Sequence, residues 1–193
     1  MRRVATAVLI SGHGSNLQAI LDAAQSADYP AEIKLVMSNK ADAFGLTRAQ
    51  QAGVATLVVS HRDFADRETF DRAMDAALKA AGIELVVMAG FMRVLSDWFV
   101  RAWQGKLINI HPSLLPAYKG LDTHRRVLEA GEKRHGATVH WVIAELDAGE
   151  VIVQEAIDVL PGETAETLAE RVHAVEHRIY PQAVRQVAAQ LRG

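Results

Sequence analysis

The residues best equipped for chemistry stand two apart in the stretch Leu107-Ile108-Asn109-Ile110-His111-Pro112-Ser113-Leu114-Leu115-Pro116. In an extended chain residues i and i+2 share a side, so Asn109 and His111 project together while Ile108 and Ile110 face the opposite layer. Pro112 lacks the N–H of a sheet ladder and biases His111 towards an extended conformation, so the strand stops there. An amide and an imidazole at the carboxyl end of a buried strand stand where open α/β sheets place their ligands. Taken alone, the pair also fits a structural reading, with His111 bonded to a neighbouring carbonyl and Asn109 as a turn former.

The elements that must hold this pair follow from periodicity. Val4 to Ser11 reads as a first strand, its nearly continuous apolar run implying burial on both faces. Gly12-His13-Gly14 turns the chain, and Ser15 with Gln18 three residues later reads as a capping box. The helix carries Leu17, Ile20, Leu21 and Ala24 on one face. A Gly-rich turn from strand to helix seats a phosphate on free backbone N–H groups. Leu17 takes the place of the third glycine of a dinucleotide fingerprint. The second strand, Ile33 to Ser38, ends in Ser38-Asn39-Lys40 without an acid for a ribose, so a nicotinamide cofactor is not expected.

Further along, Phe44 to Ala52 reads as a helix, Thr56 to Val59 as a strand, Asp66 to Ala81 as a helix and Leu85 to Ala89 as a central strand. Beyond it, the apolar loop Phe91-Met92-Arg93-Val94-Leu95 reads either as core cover or as a pocket wall. Helices are expected from Ser96 to Trp103 and Thr123 to Ala130, and strands from Thr138 to Ile143 and Val151 to Asp158. A last helix from Ala165 to about Leu191 should be kinked or split by Pro181. This order predicts an α/β fold, a mostly parallel twisted sheet with helices on both faces, as a single domain over residues 1–193.

Composition narrows the function. A net charge of -2 over 193 residues offers no global attraction to nucleic acid or acidic membranes, so an anionic ligand needs a local device. The absence of cysteine removes disulfides, thiolate nucleophiles and Cys-ligated zinc, and fits a cytoplasmic protein. The apolar run after Arg2-Arg3 is too short for a signal peptide, and no other run approaches a membrane span. His173-Ala174-Val175-Glu176-His177 matches the H-x-x-E-H zinc pattern, but no acid follows Glu176 as a third ligand. A solvated or site-facing helix surface is the expected role, and no metal is expected.

Several of these pieces occur in order in one family. They are Gly12-x-Gly14-Ser15-Asn16-Leu17, Ser38-Asn39-Lys40-Ala41-Asp42-Ala43, Ala89-Gly90-Phe91-Met92-Arg93 and the Asn109 to Pro116 stretch. His135-Gly136-Ala137-Thr138-Val139-His140, Leu146-Asp147-Ala148-Gly149 and Glu176-His177 follow. Across almost its whole length the chain resembles the phosphoribosylglycinamide formyltransferases, a folate-dependent family of purine biosynthesis with a Rossmann-like formyltransferase fold. The resemblance implies transfer of a formyl group from 10-formyltetrahydrofolate to the amine of 5-phosphoribosylglycinamide, giving formylglycinamide ribonucleotide and tetrahydrofolate. By motif position it implies a catalytic trio of Asn109, His111 and Asp147. It assigns the substrate phosphate to Gly14, Ser15 and Asn16, and the glycinamide end to Glu176. Folate contacts fall on Arg67, Met92, Arg93, Val94, Leu95 and Asn109. The partners it implies are small molecules, with neither nucleic acid nor membrane, and a homodimer stays open.

The chemistry of these residue types agrees. Attack of an amine on a formyl carbon creates a tetrahedral centre bearing O⁻ and N⁺, which needs donors for the oxygen and a route for the proton. A carboxylate beside a His favours the imidazolium, a charged donor. No residue offers itself as a covalent nucleophile, so direct transfer in a ternary complex is expected.

The chain departs from the family pattern at His13, which reads as a solvent-facing loop residue, and at Lys119 and Asp122. It also ends soon after the last helix, which reads as a trimmed sheet edge. The rival functions are a formyltetrahydrofolate hydrolase and a methionyl-tRNA formyltransferase, both expected to need further domains. More remote are a non-catalytic nucleotide-binding module and a zinc peptidase.

Overall fold

The computed structural model describes residues 2–193. Its strands are β1 (Val4–Ile10), β2 (Ala31–Ser38), β3 (Ala55–Val58), β4 (Leu85–Met88), β5 (Leu107–His111), β6 (Arg134–Trp141) and β7 (Val151–Asp158). Its helices are α1 (Ser15–Ala24), α2 (Phe44–Gln51), α3 (Arg67–Ala80), α4 (Asp97–Ala102), α5 (Thr123–Glu129) and α6 (Ala165–Arg192), with a 3₁₀ turn at His61–Asp63. The strands form one seven-stranded sheet in the order β3-β2-β1-β4-β5-β6-β7. β1 to β5 pair in parallel, while β6 and β7 are antiparallel. The α/β class and mostly parallel sheet expected from the sequence are what the chain adopts.

Alternation along each strand divides the core into two layers. Val8 and Ile10 of β1, Leu85 and Val87 of β4, and Ile108 and Ile110 of β5 pack towards α1, α2, α5 and α6. Ala7, Leu9, Val86, Met88 and Leu107 pack on the other face against α3 and α4. Because both faces are covered, β1 and β4 are buried at every position, which is why they read as continuous apolar runs. Asn109 and His111 share the parity of Leu107, so they emerge on the α3/α4 face.

Three local expectations are corrected. Ser15 does not cap α1: Gly14 holds the N-cap position with φ 76°, and no side chain caps the helix. Glycine adopts this left-handed conformation without penalty but offers no capping oxygen, and Gln18 turns to Asp22 and Arg48 instead. Capping boxes stand at Asp66/Thr69 before α3 and at Thr164/Thr167 before α6. β6 begins at Arg134, earlier than expected, because β7 supplies a ladder for residues of modest strand preference. Pro181 does not split α6, which runs as one helix. Ten buried side chains hold it to the sheet, outweighing the roughly 3 kcal/mol cost of an internal proline.

Candidate active site

The chain leaves β1 for β2 and β3 on one side, then crosses to β4 and β5 on the other, so the loops after β1 and β4 diverge. That divergence opens a crevice at the carboxyl ends of the strands. Ser11 spans it, its hydroxyl accepting the N–H of Met92 at 2.8 Å and donating to Asn39 Oδ1 at 2.5 Å.

On the α3/α4 face the crevice widens into a cleft of about 810 Å³. Met88, Phe91, Leu95, Val100 and Val142 form its apolar wall, and Asn109, His111, His140 and Asp147 bring polar groups to it. The loop Phe91 to Leu95 is therefore a pocket wall, with Met92 and Val94 exposed and Phe91 and Leu95 buried.

Neighbouring strands position the polar centre. In the β5–β6 ladder Asn109 lies opposite His140, and His111 opposite Thr138. The loop after β5 is pinned because Thr138 Oγ1 donates to the Ser113 carbonyl at 2.7 Å and accepts the Leu115 N–H at 3.1 Å. The 142–150 loop folds back against β6, and Gly149 makes that approach possible. A Cβ there would stand 1.6 Å from the Trp141 carbonyl oxygen, so only glycine fits.

The folded-back loop carries Asp147, itself at φ 51°, an uncommon conformation of the kind that collects at functional sites. Asp147 Oδ2 accepts the Gly120 N–H at 2.9 Å and stands 3.5 Å from His111 Nδ1, while Oδ1 lies 3.9 Å from His140 Nε2. His111 Nε2 donates to the Tyr118 carbonyl at 2.9 Å. With that proton committed, Nδ1 is the position at which the ring takes up another, and it faces a carboxylate. His140 Nδ1 donates to the Trp141 carbonyl at 2.9 Å, leaving Nε2 as an acceptor 3.5 Å from Asn109 Nδ2. Burial holds His140 below the usual imidazole pKa, against the raising effects of the Trp141 carbonyl and Asp147. Its neutral ring thus orients the Asn109 amide with its N–H₂ towards β6. His140 escaped the sequence reading, although its place two residues after Thr138 on one strand face was the available signal.

On the α1/α6 face, the Gly12–Asn16 turn meets the start of α2. Gly14 needs both its positive φ and its missing side chain, since a Cβ would lie 2.7 Å from Gly45 Cα. The Gly45 N–H donates to the Gly12 carbonyl at 3.0 Å, locking the turn. The first N–H groups of α1 carry no side-chain cap. His13 is an exposed loop residue, as expected, with its ring stacked on Phe44 and its carbonyl accepting from Arg48 Nε at 2.9 Å. Asn16 Nδ2 reaches Glu176 Oε2 at 3.4 Å. Glu176 is buried, which pushes its carboxyl up to about 7, the Asn16 hydrogen bond acting weakly the other way. Asn16 Oδ1 and His177 Nε2 are buried without a partner among the described residues, as expected of groups that meet a ligand.

The structure thus gathers Asn109, His111 and Asp147 into one cluster, and Gly14, Ser15, Asn16 and Glu176 into a second on the opposite face. Met92, Arg93, Val94 and Leu95 line the cleft, but Arg67 does not; it stands exposed at the first position of α3. Lys119 pairs with Glu145 at 3.0 Å, tying two loops that border the cleft, and Asp122 pairs with Arg125 at 3.0 Å. In H-x-x-E-H, His173 Nε2 lies 3.8 Å from Glu176 Oε2, and the rings of His173 and His177 stack. Among the described residues no three His, Asp or Glu side chains gather as metal ligands.

Fold and site together define a doubly wound α/β protein with a two-sided small-molecule site at its topological switch point. A family model described as formyl transferase matches residues 4–184. The chain is 50% identical to phosphoribosylglycinamide formyltransferase of Escherichia coli over 90% of this chain and 82% of that one. It is 51% identical to the trifunctional purine biosynthetic protein adenosine-3 of Drosophila melanogaster, over 95% of this chain. The chain spans only 14% of the length of that relative. The crystal structure of phosphoribosylglycinamide formyltransferase from Brucella melitensis superposes with a TM-score of 0.94 at 47% identity, covering 97% of each chain. The chain belongs to the formyl transferase family.

Proposed function

We propose that this chain transfers the formyl group of 10-formyltetrahydrofolate to the amine of 5-phosphoribosylglycinamide, in the cytoplasm, as a step of purine biosynthesis. The observation that carries the reading is the pairing of an uncapped, glycine-turned helix start on one face of the crevice with an apolar cleft on the other. The polar cluster of Asn109, His111 and Asp147 stands on the cleft side. A phosphorylated amine and a flat aromatic formyl donor need those two environments.

In this scheme the phosphate sits on the N–H groups at Gly14, Ser15 and Asn16, and Glu176 holds the glycinamide end. The pterin ring lies against Met92 to Leu95. The amine attacks the formyl carbon, forming a C–N bond as the carbonyl oxygen becomes O⁻. The Asn109 amide donates to that oxygen, and the proton leaving the nitrogen has a place at His111 Nδ1, where Asp147 stabilises the imidazolium. Collapse of the tetrahedral centre breaks the bond to folate nitrogen, which receives the proton and leaves as tetrahydrofolate. Holding both reactants supplies the effective concentration that a free amine lacks.

The nearest competing function, hydrolysis of the same formyl donor, gives the phosphate turn no role. An assay of the donor with and without the amine decides between them. Transfer requires slow formate release alone and stoichiometric formylglycinamide ribonucleotide once the amine is added. Rapid formate release indifferent to the amine would identify a hydrolase.

A further inference from the structure

The loop between β5 and α5 touches both halves of the His111–Asp147 pair, and it touches them with backbone. The Tyr118 carbonyl accepts from His111 Nε2 at 2.9 Å, and the Gly120 N–H donates to Asp147 Oδ2 at 2.9 Å. A carbonyl can only accept, so this contact commits the ring proton to Nε2 and leaves Nδ1 facing the carboxylate. The strap that makes both contacts has an uncommon backbone. Tyr118, Gly120 and Asp122 have φ of 55°, 81° and 55°, and two of the three carry side chains that disfavour this region. Its side-chain ties from Lys119 to Glu145, Tyr118 Oη to Glu132 and Asp122 to Arg125 are all exposed, where such contacts hold little.

Arg126, half-buried on α5, grips the strap from its other side. Helical side chains lean towards the helix N-terminus, which lays this guanidinium over the residues that precede Thr123. Nη1 donates to the Lys119 carbonyl at 2.7 Å and to the Leu121 carbonyl at 3.1 Å, and the guanidinium carbon stands 5.3 Å from the centre of the Tyr118 ring. The carbonyls of 119 and 121 thus go to Arg126, while the carbonyl of 118 and the N–H of 120 go to the pair. We infer that Arg126 is a positioning residue for formyl transfer: by holding the outer carbonyls of the strap it keeps the inner contacts on His111 and Asp147, and so fixes which imidazole nitrogen is free to take the proton. The inference rests on the transfer reading and adds to it a residue that does not line the cleft. A change at Arg126 therefore reaches the chemistry only through the strap.

Arg126→Met tests this by keeping the apolar stem and removing the donors. kcat should fall about tenfold, within what a misplaced reacting group costs, while both KM values stay within about twofold. Arg126→Lys, which can reach one carbonyl but has no planar fork, should recover part of kcat. Because Arg126 acts through the pair, its loss should matter little once Asp147→Asn has removed the carboxylate, so the two losses should fall well short of multiplying. The ¹⁵N shifts of the His111 ring give a readout that a mere loss of stability would not move, since they report which nitrogen bears the proton. In its neutral form the wild-type ring should carry the proton on Nε2, and in Arg126→Met it should become a mixture of tautomers. An unchanged ring in Arg126→Met, or losses that multiply in full with Asp147→Asn, would leave Arg126 a plain structural anchor and overturn the inference. So would a wild-type ring protonated on Nδ1, a result that needs no variant to fold. The ring measurement needs no substrate either. If the ring behaves as expected but the wild-type protein transfers no formyl group, what fails is the transfer reading, not the hold of Arg126 on the pair.

Discussion

His111 Nδ1 and Asp147 Oδ2 lie 3.5 Å apart, both side chains buried, with the same carboxylate oxygen held by the Gly120 N–H at 2.9 Å. A strand end and a loop from a distant antiparallel hairpin meet at that contact. It stations a negative charge at the one ring nitrogen not already committed to a carbonyl.

Asp147→Asn tests that contact cleanly, because asparagine tolerates the φ of 51° that position 147 requires. If Asp147 stabilises the imidazolium formed during transfer, kcat should fall by about 10² with both KM values little changed. His111→Ala should fall at least as far. Steady-state kinetics near neutral pH check both, and a kcat within twofold of wild type would remove Asp147 from the mechanism.

Glu176→Gln separates stability from function. The folded carboxyl, raised to about 7 from an ordinary value of 4.5, binds its proton more tightly than in the unfolded chain. Wild-type stability should therefore be greatest below 4.5 on this account and decline as pH rises through 7. Glutamine mimics the protonated form, so the variant should melt several degrees above wild type at pH 8, the gap closing towards pH 4.5. The amine substrate's KM should rise while formyl-donor affinity holds. Equal losses for both ligands would indicate local unfolding of α6 instead.

Gly14→Ala should damage both packing and phosphate binding. The left-handed φ costs about 1–2 kcal/mol for a residue with a side chain, and the new methyl meets Gly45 Cα at 2.7 Å, a backbone atom that cannot swing away. Urea denaturation should show a loss of about 2–3 kcal/mol, with a raised KM for the amine substrate. Gly45→Ala meets Ile10 Cδ1, the end of a flexible side chain, and should cost less. A larger loss at Gly45 would reverse this account of the turn.

His135 predicts an acid limb of the opposite sign to that of Glu176. Burial, then the nearby His124 and His111, lower its pKa from 6.5 to about 4, and its Nε2 lies 3.0 Å from His124 Nδ1. The unfolded chain takes up this proton first, so the contribution is complete above 6.5 and is lost as pH falls towards 4. His135→Gln should flatten the dependence of Tm on pH within that window. An unaltered slope would show that His135 is not what titrates there.

Much of this was legible in residue order. β1 and β4 are apolar at nearly every position because both their faces are covered, and Pro112 ends β5 because it has no N–H to offer. The parity that puts Asn109 and His111 on one side and Ile108 and Ile110 on the other is a property of any extended strand, so it held in three dimensions. What residue order could not decide depends on partners distant in the chain. Gly14 displaced Ser15 as the cap because α2 presses its Gly45 against the turn, and Pro181 stays inside α6 because packing on the sheet outweighs the lost hydrogen bond. His140 comes beside Asn109 only through the β5–β6 register. Periodicity and backbone chemistry are local and survive in a string of letters. Register and burial exist only once the sheet has brought remote segments within a few ångströms.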